Sequence, residues 1–113
     1  MSQLADQSCI PCRGGHPPLG AAEIEPLLAQ LDRWQVVNQH HLEKTYRLKN
    51  FADALALVDR IGAIAEEQQH HPDLFLAWGQ VRVTIWTHTI DGLTESDFVF
   101  AAKCDRAFAG LRA

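Results

Sequence analysis

Apolar residues recur along this chain at two different spacings, and the switches between them outline the fold. From Ala21 to Leu31, Ile24, Leu27, Leu28 and Leu31 fall on one face at helical spacing. Pro26 argues for a late start to this helix, since proline is tolerated only in the first turn. Trp34–Asn38 reads as a short strand and Gln39-His40-His41 as a turn, in which neither histidine is given a role. Over Leu42–Leu48 the period becomes two: Leu42, Lys44, Tyr46 and Leu48 alternate with Glu43, Thr45 and Arg47, as in a half-buried strand closing a hairpin. Asn50 then caps a second helix whose buried stripe is Phe51, Ala54, Leu55, Val58, Ile61, Gly62 and Ala65. That helix runs to about His70, and Pro72 ends it by pushing the preceding residue out of the α region.

Leu74–Trp78 and Gln80–His88 predict a second hairpin around Gly79. In the last strand Val81, Val83, Ile85 and Thr87 share one face, and Arg82, Thr84, Trp86 and His88 the other. A loop through Asp91-Gly92 leads to Thr94. Asp97 stands three residues on, the spacing of a capping box with Asp in place of Glu. The final helix carries Phe98, Ala101, Ala102, Asp105 and Phe108. This order predicts an α+β fold: a four-stranded antiparallel sheet from two hairpins, with three helices on one face. Residues 1–20 hold Cys9, Pro11, Cys12, Gly14, Gly15, Pro17, Pro18 and Gly20, punctuation that predicts an extended arm ahead of a single domain over 21–113.

Composition narrows the class. With 113 residues, 47% of them hydrophobic and 21% charged, one globular domain with its own core is expected. The net charge of −4 and the absence of a Lys/Arg cluster argue against nucleic acid as a partner. The apolar run Ala54 to Val58 is far too short to span a bilayer. No charged region followed by an apolar stretch opens the chain, so a secretory signal is not expected. Three cysteines without a disulfide-like framework fit a reducing cytoplasm.

The chemistry concentrates in the second half. Glu66, His70 and His71, followed by Pro72, precede His88 and Asp97, with Trp78 and Trp86 available for stacking on a flat heterocycle. Imidazoles both donate and accept protons near neutrality. Glu66 and His70 are four apart on a helix, so the carboxylate is expected to hold the His70 tautomer. His71, at the helix end, points elsewhere. His88, at a strand end, is able to return to the same rim. Each residue also has a plainer reading: His70-His71-Pro72 as a helix C-terminus, Asp97 as the partner of a Thr94 cap, Glu66 as a solvated neighbour of Glu67, and the tryptophans as packing residues. Zinc fits poorly, because adjacent histidines point apart and no i,i+4 His pair is present. Cys9-x-x-Cys12 with His16 lacks a fourth ligand.

The series Glu66-x3-His70-His71-Pro72-x5-Trp78-x9-His88-x8-Asp97 resembles the signature of pterin-4a-carbinolamine dehydratases, over about residues 21 to 110. Ser96 stands where several relatives place a basic residue. The Cys9-x-x-Cys12 arm is similar to one in some bacterial members. The resemblance implies dehydration of a 4a-hydroxytetrahydropterin, released by aromatic amino-acid hydroxylases, to the quinonoid dihydropterin. It implies catalysis by His70, His71 and His88, with His70 and His88 as the acid/base pair and His71 chiefly orienting the pterin. Glu66 and Asp97 would support them, and Pro72 with Thr87, His88, Thr89 and Ile90 would line the site. It further implies no metal or other cofactor, a homodimer or homotetramer, and a functional link to an aromatic amino-acid hydroxylase. The alternative is a non-enzymatic interaction protein on the same fold, since relatives act as dimerisation cofactors of a transcription factor or assist carboxylase assembly. An intact histidine set favours the enzyme, because a scaffold has no use for that proton chemistry.

Overall fold

The computed structural model describes residues 4–9 and 17–112. Seven regular elements follow a short 3-10 turn at Leu4–Asp6: α1 (Ala21–Leu28), β1 (Gln35–Val37), β2 (His41–Arg47), α2 (Phe51–Gln68), β3 (Asp73–Ala77), β4 (Gln80–Ile85) and α3 (Glu95–Arg112). The α-β-β-α-β-β-α order is the one the hydrophobic pattern predicts. The two hairpins join through β2 and β4 into one antiparallel sheet of order β1-β2-β4-β3. Tyr46 lies opposite Val81 and Leu42 opposite Ile85, so the inward side chains of both hairpins form one apolar layer. Leu42, Tyr46, Val81, Val83 and Ile85 on the sheet, Ala54, Leu57 and Ile61 on α2, and Phe98, Val99, Phe100, Ala101 and Cys104 on α3 are all buried. Among the described residues, no helix is long and apolar enough to cross a membrane.

Two turns depend on glycine. Gly79 closes the β3–β4 hairpin at φ 66°, and a Cβ there would meet the Leu48 carbonyl oxygen at 2.9 Å. At Gly92 a Cβ would stand 2.5 Å from the Cβ of Pro18, where the chain entering α1 crosses the approach to α3.

Several local expectations shift. α1 starts at Ala21, five residues before Pro26, because its first turn is held from outside: the Glu23 carboxylate accepts from the Gly20 amide at 3.1 Å, and Ile24 is buried. It stops at Leu28 rather than Leu31. The buried stripe of α2 is Ala54, Leu57, Ile61 and Ala65, while Phe51 and Leu55 remain 44% and 43% exposed. The helix is alanine-rich, so a stripe shifted by one residue reads almost equally well. β4 ends at Ile85 instead of running to His88, since Thr87 pairs back onto Gly92 and turns the chain.

Leu4–Cys9 depart from the extended arm expected over residues 1–20. Leu4, Ala5 and Cys9 are buried. The Cys9 amide donates to Gln68 Oε1 at 2.8 Å, its thiol to the Ser96 carbonyl at 3.5 Å, and Lys103 Nζ to the Ala5 carbonyl at 2.9 Å. These bonds hold the segment across the end of α2 and the start of α3. Cys12 and His16 lie outside the described residues. A second polar hub ties α3 to the sheet: the Asp105 carboxylate accepts from Trp34 Nε1 at 3.1 Å, Lys44 Nζ at 2.7 Å and the Tyr46 hydroxyl.

Burial raises the Cys9 thiol to about 11, and burial likewise pushes the Cys104 thiol and the Tyr46 phenol up. In the unfolded chain these groups lose protons at lower pH than in the folded one. Their contribution to stability should therefore be constant below about pH 9 and be lost as pH rises from there towards 11. Urea-unfolding midpoints across that range check this, and Cys9→Ala should remove part of the slope.

Candidate active site

Gln69 decides where the two adjacent histidines go. α2 ends at Gln68, and Gln69 takes the left-handed conformation (φ 53°), with the His70 amide donating back to the Ala65 carbonyl at 3.1 Å. This bond closes the last turn in the manner of a Schellman motif, with glutamine in the place glycine usually fills. The reversal throws His70 inward over α3 and leaves His71 on the outer side of the helix end.

His70 therefore does not pair with Glu66, as helical i,i+4 spacing predicts. Its Nε2 lies 2.6 Å from Asp97 Oδ1, and its ring stands edge-on to Phe100 at 6.0 Å. Glu66 instead accepts from His71 Nε2 at 2.6 Å. The two pairs differ in setting. The His70 side chain is 14% exposed and that of Asp97 fully buried, whereas the His71 and Glu66 side chains are 54% and 75% exposed. An open pair of the latter kind contributes roughly 0–1 kcal/mol and orients its imidazole only loosely.

Asp97 is fully satisfied. Its Oδ2 accepts from the Thr94 amide at 2.8 Å and from the Thr87 hydroxyl at 2.9 Å. The first bond is the predicted return half of the Thr94 cap. The second was not legible, since nothing local in sequence links Thr87 to Asp97. Through this one carboxylate the structure brings together His70 after α2, Thr87 after β4 and Thr94 before α3.

Thr87 also opens the turn that carries the other predicted site residues. Its carbonyl accepts from the Ile90 and Asp91 amides at 3.1 and 2.9 Å, and its amide donates to the Gly92 carbonyl at 2.9 Å. Thr87 and Ile90 face inward, while His88 and Thr89 are exposed. His88 bonds to neither Asp97 nor His70. Its ring rests on Trp86, with centroids 4.4 Å apart. Pro72 is half-buried and leads into β3. Trp78, considered for stacking, is 72% exposed at the β3–β4 turn. Sequence reasoning left out His40, which stands beside Trp86 and bonds to Asp91. Among the described residues, no group of three or more His, Cys, Asp or Glu side chains is placed to hold a metal ion.

Residues 17–107 match the family described as pterin 4 alpha carbinolamine dehydratase. The chain belongs to this family. A protein of Rubrobacter xylanophilus with the provisional name pterin-4-alpha-carbinolamine dehydratase is 57% identical over 106 residues, covering 94% of this chain and 99% of its own. The crystal structure of a transcriptional coactivator/pterin dehydratase from Brucella melitensis superposes with a TM-score of 0.76 at 32% identity, covering 80% of this chain and 97% of that one. A pterin dehydratase-like protein identified as a RuBisCO assembly factor of the alpha-carboxysome shares the fold, with a TM-score of 0.60 at 24% identity over 68% of this chain and 90% of that one.

The Asp97 hub makes two substitutions diverge. Asp97→Ala leaves the His70 and Thr87 donors without their buried partner and uncaps α3, and should cost about 3–5 kcal/mol. Asp97→Asn keeps an acceptor for Thr94 and Thr87 but turns a donor towards His70, and should cost about 1–2 kcal/mol while moving the His70 proton from Nε2 to Nδ1. Urea unfolding reads the first effect, and imidazole nitrogen chemical shifts read the second.

Proposed function

We propose that this protein dehydrates a 4a-hydroxytetrahydropterin to the quinonoid dihydropterin by imidazole acid/base catalysis. The observation that carries the reading is the buried Asp97 carboxylate beneath His70. An ionised carboxylate only accepts hydrogen bonds, so His70 keeps its proton on Nε2 and has Nδ1 left for substrate. With Nδ1 unprotonated and the ring held from behind by Asp97, His70 would act as the base. His88 stands in a different setting: its ring is exposed and lies against Trp86, with no bond to Asp97, and it would supply the other proton.

In the reaction, the C4a–O bond breaks and the oxygen leaves as water with a proton from His88. The N5–H proton passes to His70, and its electron pair forms the N5=C4a double bond. One proton is given and one taken, so no redox partner enters. Expelling bare hydroxide is slow at neutral pH, and each positioned proton transfer contributes typically 10²–10⁴-fold. His71, loosely held by Glu66 at the mouth, would orient the pterin. Pro72 and the Thr87–Ile90 turn would line its binding site. The reading places the protein in pterin recycling alongside an aromatic amino-acid hydroxylase, in the cytoplasm.

Association between copies also belongs to this reading. Phe51 and Leu55 lie one helical turn apart on α2 and are 44% and 43% exposed, an apolar edge that a second copy would cover. A partner protein covering it instead would correspond to the non-enzymatic alternative, which the coactivator name of the Brucella melitensis relative keeps in view.

Purified protein should accelerate the loss of 4a-carbinolamine absorbance, and His70→Ala or His88→Ala should each lower kcat by roughly 10²–10⁴-fold with the fold retained. A background rate from correctly folded wild type would rule the dehydratase out. Sedimentation should show an oligomer that Leu55→Glu dissociates.

A further inference from the structure

The dehydratase reading leaves His40 and His41 unused, and with Trp86 they converge on the turn that presents His88. His40 and His41 sit where β1 turns into β2, and Trp86 immediately follows β4. The indole of Trp86 has the His88 ring at 4.4 Å, His40 at 5.2 Å and His41 at 5.9 Å. His40 Nε2 lies 2.8 Å from Asp91 Oδ1, and His40 Nδ1 lies 3.1 Å from His41 Nδ1.

Asp91 closes the His88 turn. It holds a left-handed conformation (φ 56°), and its amide donates to the carbonyls of Thr87 and His88. The turn thus has two side-chain anchors. At its start the Thr87 hydroxyl donates to buried Asp97. At its end the Asp91 carboxylate accepts from His40, which belongs to the other hairpin. A carboxylate accepts only, so His40 carries a proton on Nε2. In its neutral form, His40 Nδ1 then accepts from the His41 Nδ1–H. Asp91 thus fixes the tautomer of neutral His40, and through it the proton position on His41.

We propose that His40 is a positioning residue for the proposed dehydration: bonded to Asp91 and packed on Trp86, it fixes the turn that aims His88 at the substrate. This rests on the dehydratase reading for its chemistry but not for its geometry. The bond is exposed and contributes little to global stability, so its loss acts on placement rather than folding. A small misplacement of a proton donor is costly in rate.

The variants are His40→Ala, His40→Gln and Asp91→Gly. Glutamine returns an N–H donor near the Nε2 position without the ring. Glycine removes the carboxylate while keeping the positive φ. Histidine-selective NMR of the substrate-free protein reads the His88 ring, and steady-state kinetics read kcat and KM. His40→Ala and Asp91→Gly should both move the His88 resonances and lower kcat roughly three- to tenfold with little change in the melting temperature. The double variant should be no worse than either single one. His40→Gln should restore the His88 resonances towards wild type and retain more activity than His40→Ala, which separates the bond from the ring's own effect on chemical shifts. Unmoved His88 resonances in His40→Ala and Asp91→Gly would overturn the proposal. If the wild type lacked dehydratase activity, the dehydratase reading would fall, and the NMR comparison would still decide whether His40 fixes His88.

Discussion

One buried anion organises this fold. Asp97 is wholly inaccessible and takes donors from three separate stretches of chain: His70 beyond α2, Thr87 beyond β4 and Thr94 at the head of α3. A carboxylate removed from water is tolerated only when its oxygens are bonded, and withdrawing a partner leaves an uncompensated charge in an apolar setting. Each of the three stretches is therefore constrained by the other two. The ends of a helix and a strand, which fray in isolation, are drawn onto the start of α3. The Cys9 strap adds a further tie, since it bonds Gln68 and Ser96, near neighbours in sequence of His70 and Asp97.

The part of this arrangement written locally was legible in the sequence. Periods of two and 3.6 give every regular element in the right order, and the Thr94-x-x-Asp97 spacing gives the return half of the helix cap. The Val81, Val83, Ile85, Thr87 face is buried as its alternation implies. Legibility ends where one residue's backbone changes the direction of those after it. Gln69 carries no signal for a left-handed conformation as glycine would, so the i,i+4 rule carries past the end of α2 and pairs Glu66 with His70, where the structure pairs it with His71. Thr87 likewise looks like one more strand residue, yet its pairing with Gly92 takes His88 out of the sheet. On α2 the alanines blur the stripe. Leu57 is buried and Leu55 is not, a difference set by which side α3 occupies.

Asp105 shows the same limit at a second carboxylate. Period two places Lys44 on the inward face of β2, where a lysine looks out of place. Packing resolves it, because Asp105 reaches from α3 to receive Lys44, Tyr46 and Trp34 together. The lysine stem lies along the aromatic rings, with Nζ 4.7 Å from the Tyr46 centroid. Both long-range polar hubs thus have an acid on α3 and donors on other elements. The hydrophobic layer sets how deep α3 lies on the sheet. The carboxylates set its rotation and register, which apolar contacts specify only weakly.

The adjacency of His70 and His71 gains its meaning from this geometry. On a continuous helix two neighbouring imidazoles would point about 100° apart, each limited to an exposed carboxylate one turn back on the same helix. A left-handed residue directly before them lets each take its own: His70 a buried acid from another helix, His71 an exposed one from its own. One ring becomes rigid, with a fixed tautomer and an anion at its back. The other keeps its freedom at the surface. Reactions that move a proton need a group of the first kind, and capture of a substrate from solution tolerates the second. The same division holds across the site, where Thr87 is locked to Asp97 while His88, the next residue, stands in the open against Trp86. For the proposed dehydration, an exposed proton donor at His88 is workable only if something outside the core steadies its turn, and from the other hairpin His40 reaches that turn through its bond to Asp91.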